Sequence, residues 1–212
     1  MRRLPVYIVL DTSGSMTGEP IEAVKNGVQV LITTLRQDPY ALETAFISVI
    51  TFNNEAHQLI PLTDLSSFQM QEIKAGGGTS FGAALQLLSD CIKREVITST
   101  QDVKGDWKPL VFIMTDGMPT DQYQAGLNAF KNTKTGITVA CAAGSKTDVN
   151  LLKQITDTVV SLDTADANAI RAFFKWVSAS VSTGSQKIES GGKEVTGLDE
   201  LPPPPPEVNI VV

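Results

Sequence analysis

Residues 5–16 read PVYIVLDTSGSM: an apolar run to Leu10 that breaks at Asp11 into a carboxylate, hydroxyls and a glycine. A short run with no polar alternation is the pattern of a strand buried on both faces, which is how strands of a parallel sheet are placed. The same kind of run recurs as AFISVITFN (45–53), PLVFIMTD (109–116), GITVACAAG (136–144) and TVVSL (158–162). Between the runs lie stretches of helical period. Ile21, Val24, Val28, Leu31, Ile32 and Leu35 open at Pro20 and stop before Asp38-Pro39; Phe81, Ala84, Leu85, Leu88 and Ile92 form a second stripe, and Ile170, Phe173, Phe174, Val177 and Val181 a third. AHQLIPLTDL (56–65) alternates loosely and carries Pro61, which suits an edge strand paired to its predecessor. Strands alternating with helices predict an α/β fold, a doubly wound, mostly parallel sheet with one antiparallel edge strand and helices on both faces.

The chain has 212 residues, 42% of them hydrophobic and 19% charged, as expected for one globular domain with a good-sized core. That domain is expected over residues 1–183. From 184 to 212 the periodicity fades, glycines accumulate and five prolines stand in a row from Pro202 to Pro206, which predicts a flexible, proline-rich C-terminal tail with a stiff polyproline II segment. Its closing VNIVV suits docking on a sheet edge and disorder equally well.

The net charge of −6 includes no basic stretch, which removes the term that dominates nucleic-acid binding. Asp11 interrupts the first apolar run too soon for a signal sequence or a membrane span, so a soluble, cytoplasmic protein is expected. Cys91 and Cys141 lie in apolar surroundings without metal-ligand spacing and read as small buried hydrophobes. His57 is the single histidine, so a transition-metal site or a Ser-His-Asp triad has little to build on.

In an open parallel sheet, ligands bind beyond the carboxyl ends of the strands. Three polar loops are expected there: DTSGS (11–15), GGGTS (76–80) and TDGMPTD (115–121). Asp11, Ser13 and Ser15 alternate, so an extended chain points their oxygens to one side. With Thr79 and Asp116 they make a set of two carboxylates and three hydroxyls, hard donors that suit Mg²⁺; Mn²⁺ and Ca²⁺ fit the same chemistry. So few charges leave a divalent cation open to a further anion, such as a partner protein's Glu or Asp carboxylate. Neither glycine loop has the lysine of a phosphate-binding P-loop. Other readings of Asp11 are a phosphoaspartate nucleophile of a Mg²⁺-dependent phosphoryl-transfer enzyme, or part of a capping turn before the first helix. Asp121 reads as a cap of the helix after it or a support behind the metal donors.

Taken together, D11-T-S13-G-S15, Thr79 in GGGTS and Asp116 in TDG resemble the metal-ion-dependent adhesion site of von Willebrand factor type A domains, over about residues 4–182. The resemblance implies that Asp11, Ser13 and Ser15 are first-loop ligands, Thr79 the second-loop ligand and Asp116 the third-loop carboxylate, with no enzymatic activity of their own. More narrowly, RRLPVYIVLDTSGSM, GGGTSFG and TDGMPTD resemble the bacterial tellurite-resistance members of that family. This implies an intracellular role in stress resistance, with protein kinase or phosphatase partners or other tellurite-resistance proteins.

Overall fold

The computed structural model describes residues 2–192 and 194–211. The opening run becomes β1 (Leu4–Asp11), buried at all eight positions. It lies at the middle of the sheet, parallel to β2 (Ala45–Phe52) on one side and to β4 (Leu110–Thr115) on the other. β5 (Thr138–Ala143) and β6 (Val159–Leu162) continue the parallel set, and β3 (Ala56–Asp64) pairs antiparallel with β2, giving the order β3-β2-β1-β4-β5-β6 before a last short strand. Pro61 is exposed on β3, where its missing N–H interrupts no inner ladder. From β1 the chain moves outward to β2 and β3, then crosses back to place β4 on the other side of β1. The switch point therefore falls between strand ends that carry Asp11 and Asp116.

Period-two alternation divides the core between the two faces. Val6, Ile8 and Leu10 of β1 and Phe112 and Met114 of β4 join α1 (Glu19–Gln37) and α6 (Ala167–Gly191). Tyr7, Val9, Val111 and Ile113 join α3 (Phe81–Glu95) and α4 (Tyr123–Lys131). α1 and α6 approach so closely that a Cβ at Gly27 would overlap the Phe174 ring. Cys91 and Cys141 are free and buried, and burial pushes both thiols up, away from the reactive thiolate. Among the described residues no helix is long and apolar enough to cross a membrane.

Two regions differ from the sequence expectation. Asp38-Pro39 ends α1 but also begins α2 (Pro39–Thr44), because the Asp38 carboxylate accepts from the amides of Tyr40 and Ala41. The chain expected as a flexible tail from residue 184 begins inside α6, which runs to Gly191 and ends at Gly192 in the left-handed conformation (φ 59°). Beyond it the backbone lies against the domain: Val195, Leu201 and Val208 are buried, and Trp176 Nε1 donates to Pro202 O at 2.8 Å. Asn209–Ile210, the short strand β7, pairs antiparallel with β6 and adds a second antiparallel edge. Proline and glycine content predicts a flexible tail, whereas the three isolated apolar side chains, too widely spaced to give a period, dock. Val212, the last residue of VNIVV, lies outside the described residues.

Candidate metal centre

Beyond β1 the first loop is held by its own polar groups. The Thr12 amide and hydroxyl both donate to Phe52 O, at 2.8 and 3.0 Å, tying the loop to the end of β2. The Ser13 amide donates to Asp11 Oδ1 at 2.8 Å, and the Thr115 hydroxyl to Asp11 Oδ2 at 2.6 Å. The chain then turns through a short 3-10 segment, Gly14–Met16, with Met16 buried beneath it. The Ser13 and Ser15 hydroxyls meet at 3.0 Å by this turn, not by the extended alternation expected from sequence. Ser15 Oγ donates to Asp116 Oδ1 at 2.7 Å, so Asp11, Ser13, Ser15 and Asp116 form one contiguous polar group.

The second loop reaches the first through backbone bonds. Gly14 N donates to Gly77 O at 3.0 Å and Gly76 N to Thr12 O at 2.9 Å. Gly77 has φ 83° and faces the Asn54 side chain so closely that a Cβ would collide with it, so the loop requires glycine there. Thr79 follows, buried and clamped to the third loop: its amide donates to Thr120 Oγ1 and its carbonyl accepts from the Thr120 amide, both at 2.9 Å. Asp121 accepts from the amides of Gly82 and Ala83 at 3.0 and 2.8 Å. It therefore caps α3, not the helix after itself, and joins the second and third loops again.

Nothing in the sequence marks Thr115, Thr120 or Asn54 as part of the site. Thr115 hides as the last residue of a buried strand, and the partners of Thr120 and Asn54 are set by loop-to-loop contacts that no spacing encodes. His57 is exposed on β3, its Nε2 3.5 Å from a Glu55 carboxylate oxygen. Four of the expected donors, Asp11, Ser13, Ser15 and Asp116, thus share one hydrogen-bonded group at the carboxyl ends of β1 and β4, and Thr79 is tied by its backbone to Thr120 of the third loop.

Asp11 is completely buried and Asp116 is 7% exposed, and neither forms an ion pair among the described residues. Burial raises the Asp116 carboxyl above its usual range and the charge of Asp11 adds to this, against the Ser15 hydrogen bond and the nearby Lys146. Two carboxylates without a paired cation, beside convergent hydroxyls, fit a hard divalent cation. Among the described residues no cluster of three or more His, Cys, Asp or Glu side chains could hold a metal, so such a cation would depend on the hydroxyls. Ser15 and Asp116 open into a cleft of about 370 Å³ walled by Gly144, Ser145, Lys146 and Asp163.

A doubly wound sheet with a hydroxyl-rich site at its topological switch point defines an open α/β binding domain. Residues 6–175 match the model of the von Willebrand factor type A domain, and the chain belongs to that family. An uncharacterized protein, sll0103, of Synechocystis sp. is 32% identical over 123 residues, covering 55% of this chain and 26% of its own length. The chain thus spans about a quarter of that relative. Among solved structures, a von Willebrand factor type A protein from Catenulispora acidiphila has a TM-score of 0.65 at 18% identity, covering 86% of this chain and 43% of the other. The ArnB paralog VWA2 from Sulfolobus acidocaldarius has a TM-score of 0.58 at 14% identity, with coverages of 87% and 45%. The pilus adhesin SpaC from Lactobacillus rhamnosus GG, in its open conformation, has a TM-score of 0.65 at 14% identity, with coverages of 86% and 30%. At these identities the likeness is one of fold.

Proposed function

We propose that this chain is a metal-dependent protein-interaction module in which Asp11, Ser13, Ser15, Thr79 and Asp116 hold Mg²⁺. The observation that carries the reading is the Asp11–Ser13–Ser15–Asp116 network, which brings two uncompensated carboxylates together beside an open cleft. Bound there, Mg²⁺ supplies an electrophilic position for a Glu or Asp carboxylate of a partner protein. Asp11, with both oxygens engaged by Ser13 N and the Thr115 hydroxyl, fixes the loop and would supply negative charge to the ion; Ser13, Ser15 and Thr79 would supply neutral oxygens, and Asp116 a carboxylate that lines the cleft. The family membership and the adhesin among the structural neighbours support binding as the activity, in place of catalysis.

The alternative, phosphoryl transfer through Asp11, needs an accessible nucleophile. Asp11 is 0% exposed with both oxygens accepting hydrogen bonds, which favours the binding reading. On the narrower resemblance of its three loops to the bacterial tellurite-resistance protein TerY, the module serves a cytoplasmic stress-resistance system, with a kinase, a phosphatase or another resistance protein as partner. Calorimetric titration with Mg²⁺ is expected to show one site in the wild type that is lost in Asp11→Ala and weakened in Thr79→Ala. Capture of a partner by the wild type should be reversed by chelator; capture that ignores both chelator and these substitutions overturns the reading.

A further inference from the structure

The segment after β5 forms one wall of the cleft into which Ser15 and Asp116 open. It is pinned on both sides of Lys146: Gly144 N donates to Leu162 O at 3.0 Å, and the buried Thr147 hydroxyl donates to Thr115 O at 3.2 Å. Thr115 is also the residue whose hydroxyl holds Asp11, so this wall is tied directly to the strand end that carries the candidate donors. Lys146 is exposed, lines the cleft and forms no ion pair among the described residues. Asp163 also lines the cleft, its Oδ1 accepting from Asn209 Nδ2 of β7 at 3.2 Å.

The charges define what such a cleft accepts. Asp11 and Asp116 equal a divalent cation in charge but leave its coordination open, so a first carboxylate enters as a ligand and each further one adds negative charge that the donor set does not offset. Among the described residues, Lys146 is the only cation lining the cleft. The cleft, at about 370 Å³, has room for about twelve waters at ~30 Å³ each, more than one carboxylate fills. We propose that Lys146 is a specificity-determining residue of this site and that the ligand is an acidic segment presenting two neighbouring carboxylates, one to the metal and one to the Lys146 ammonium. This rests on the metal reading above and names the ligand class for it.

The test uses the full chain at fixed free Mg²⁺, titrated with acetate and with glutarate as mono- and dicarboxylate probes. Glutarate is expected to bind more tightly than acetate. Lys146→Ala should weaken glutarate about 3-fold, as for an exposed ion pair, and leave acetate and Mg²⁺ affinity unchanged. Lys146→Arg should retain the glutarate preference and Lys146→Glu should abolish it. If Mg²⁺ binds but glutarate affinity ignores Lys146, or acetate falls in parallel with it, this inference is overturned and the metal reading stands. If the metal-only titration shows no Mg²⁺ site, both fall.

Discussion

The two ends of β1 hold buried polar groups in opposite ways. Where the strand begins, the Arg3 guanidinium lies against Asp106, with Nε to Oδ1 at 3.0 Å, and also donates to Glu95 O. Glu95 in turn accepts from the Tyr7 hydroxyl at 3.0 Å, from Gln58 at 2.9 Å and from Arg94 at 3.3 Å. Every acid in that cluster has a cation beside it, and burial with the Glu95 charge keeps Tyr7 protonated. Where the strand stops, Asp11 and Asp116 face hydroxyls and an amide. The first cluster is electrostatically complete, and the second fits a cation from solution.

The largest effect is expected at the complete end. The Asp106 carboxylate is 4% exposed and accepts from Arg3 and from the Ile97 amide. Asp106→Ala strands both donors and is expected to cost about 3 kcal/mol in chemical denaturation, with Mg²⁺ affinity unchanged. Coupled loss of metal affinity would show that the two ends are not independent. At the open end, Mg²⁺ at about 100 times its dissociation constant should stabilise the wild type by roughly 2.7 kcal/mol, reversibly with chelator. Thermal melts of Asp11→Asn should not respond to Mg²⁺; an equal rise in wild type and variant would place the ion elsewhere.

A smaller effect is expected from the clamp that holds Thr79. Thr120→Val removes the acceptor for the Thr79 amide, and by analogy with groups that orient metal ligands it should weaken Mg²⁺ binding about 10-fold. Thr120→Ser keeps the oxygen and should restore affinity. Failure of that rescue would mean that Thr120 acts through packing.

The sequence and the structure agree best where the signal is local. Val6 to Leu10 reads as an inner strand because the run is apolar without alternation, and its break at Asp11 marks the strand end that carries the candidate donors. Pro20 and the stripe from Ile21 to Leu35 marked α1 for the same reason. What the sequence hid depends on partners distant in the chain. Asp121 reads as a cap, but only the fold shows that it caps α3, nearly forty positions back. Thr115 looks like any strand residue until its hydroxyl is found on Asp11. Val195, Leu201 and Val208 carry no period, so their docking could not be read from spacing.

That docked segment extends the paired mode of holding charge and gives the mildest test. Lys187 Nζ lies 3.1 Å from Glu200 Oε2, while Glu200 Oε1 accepts from the amide and hydroxyl of Thr196. The Thr196 amide, the Lys187 ammonium and the Thr196 hydroxyl hold the Glu200 carboxyl down to about 2, from an ordinary value of 4.5. A depressed carboxyl contributes to docking above its unfolded value and loses that contribution as pH falls through its folded one. Between about pH 4.5 and 2 the segment should therefore loosen, with a change in Trp176 fluorescence as its indole N–H loses Pro202 O. Glu200→Gln keeps most of the shape but cannot titrate, so the acid-dependent part of the signal should disappear. If the variant follows the wild-type curve, another carboxylate governs the release, and the charge pairing seen at the start of β1 does not extend to this segment.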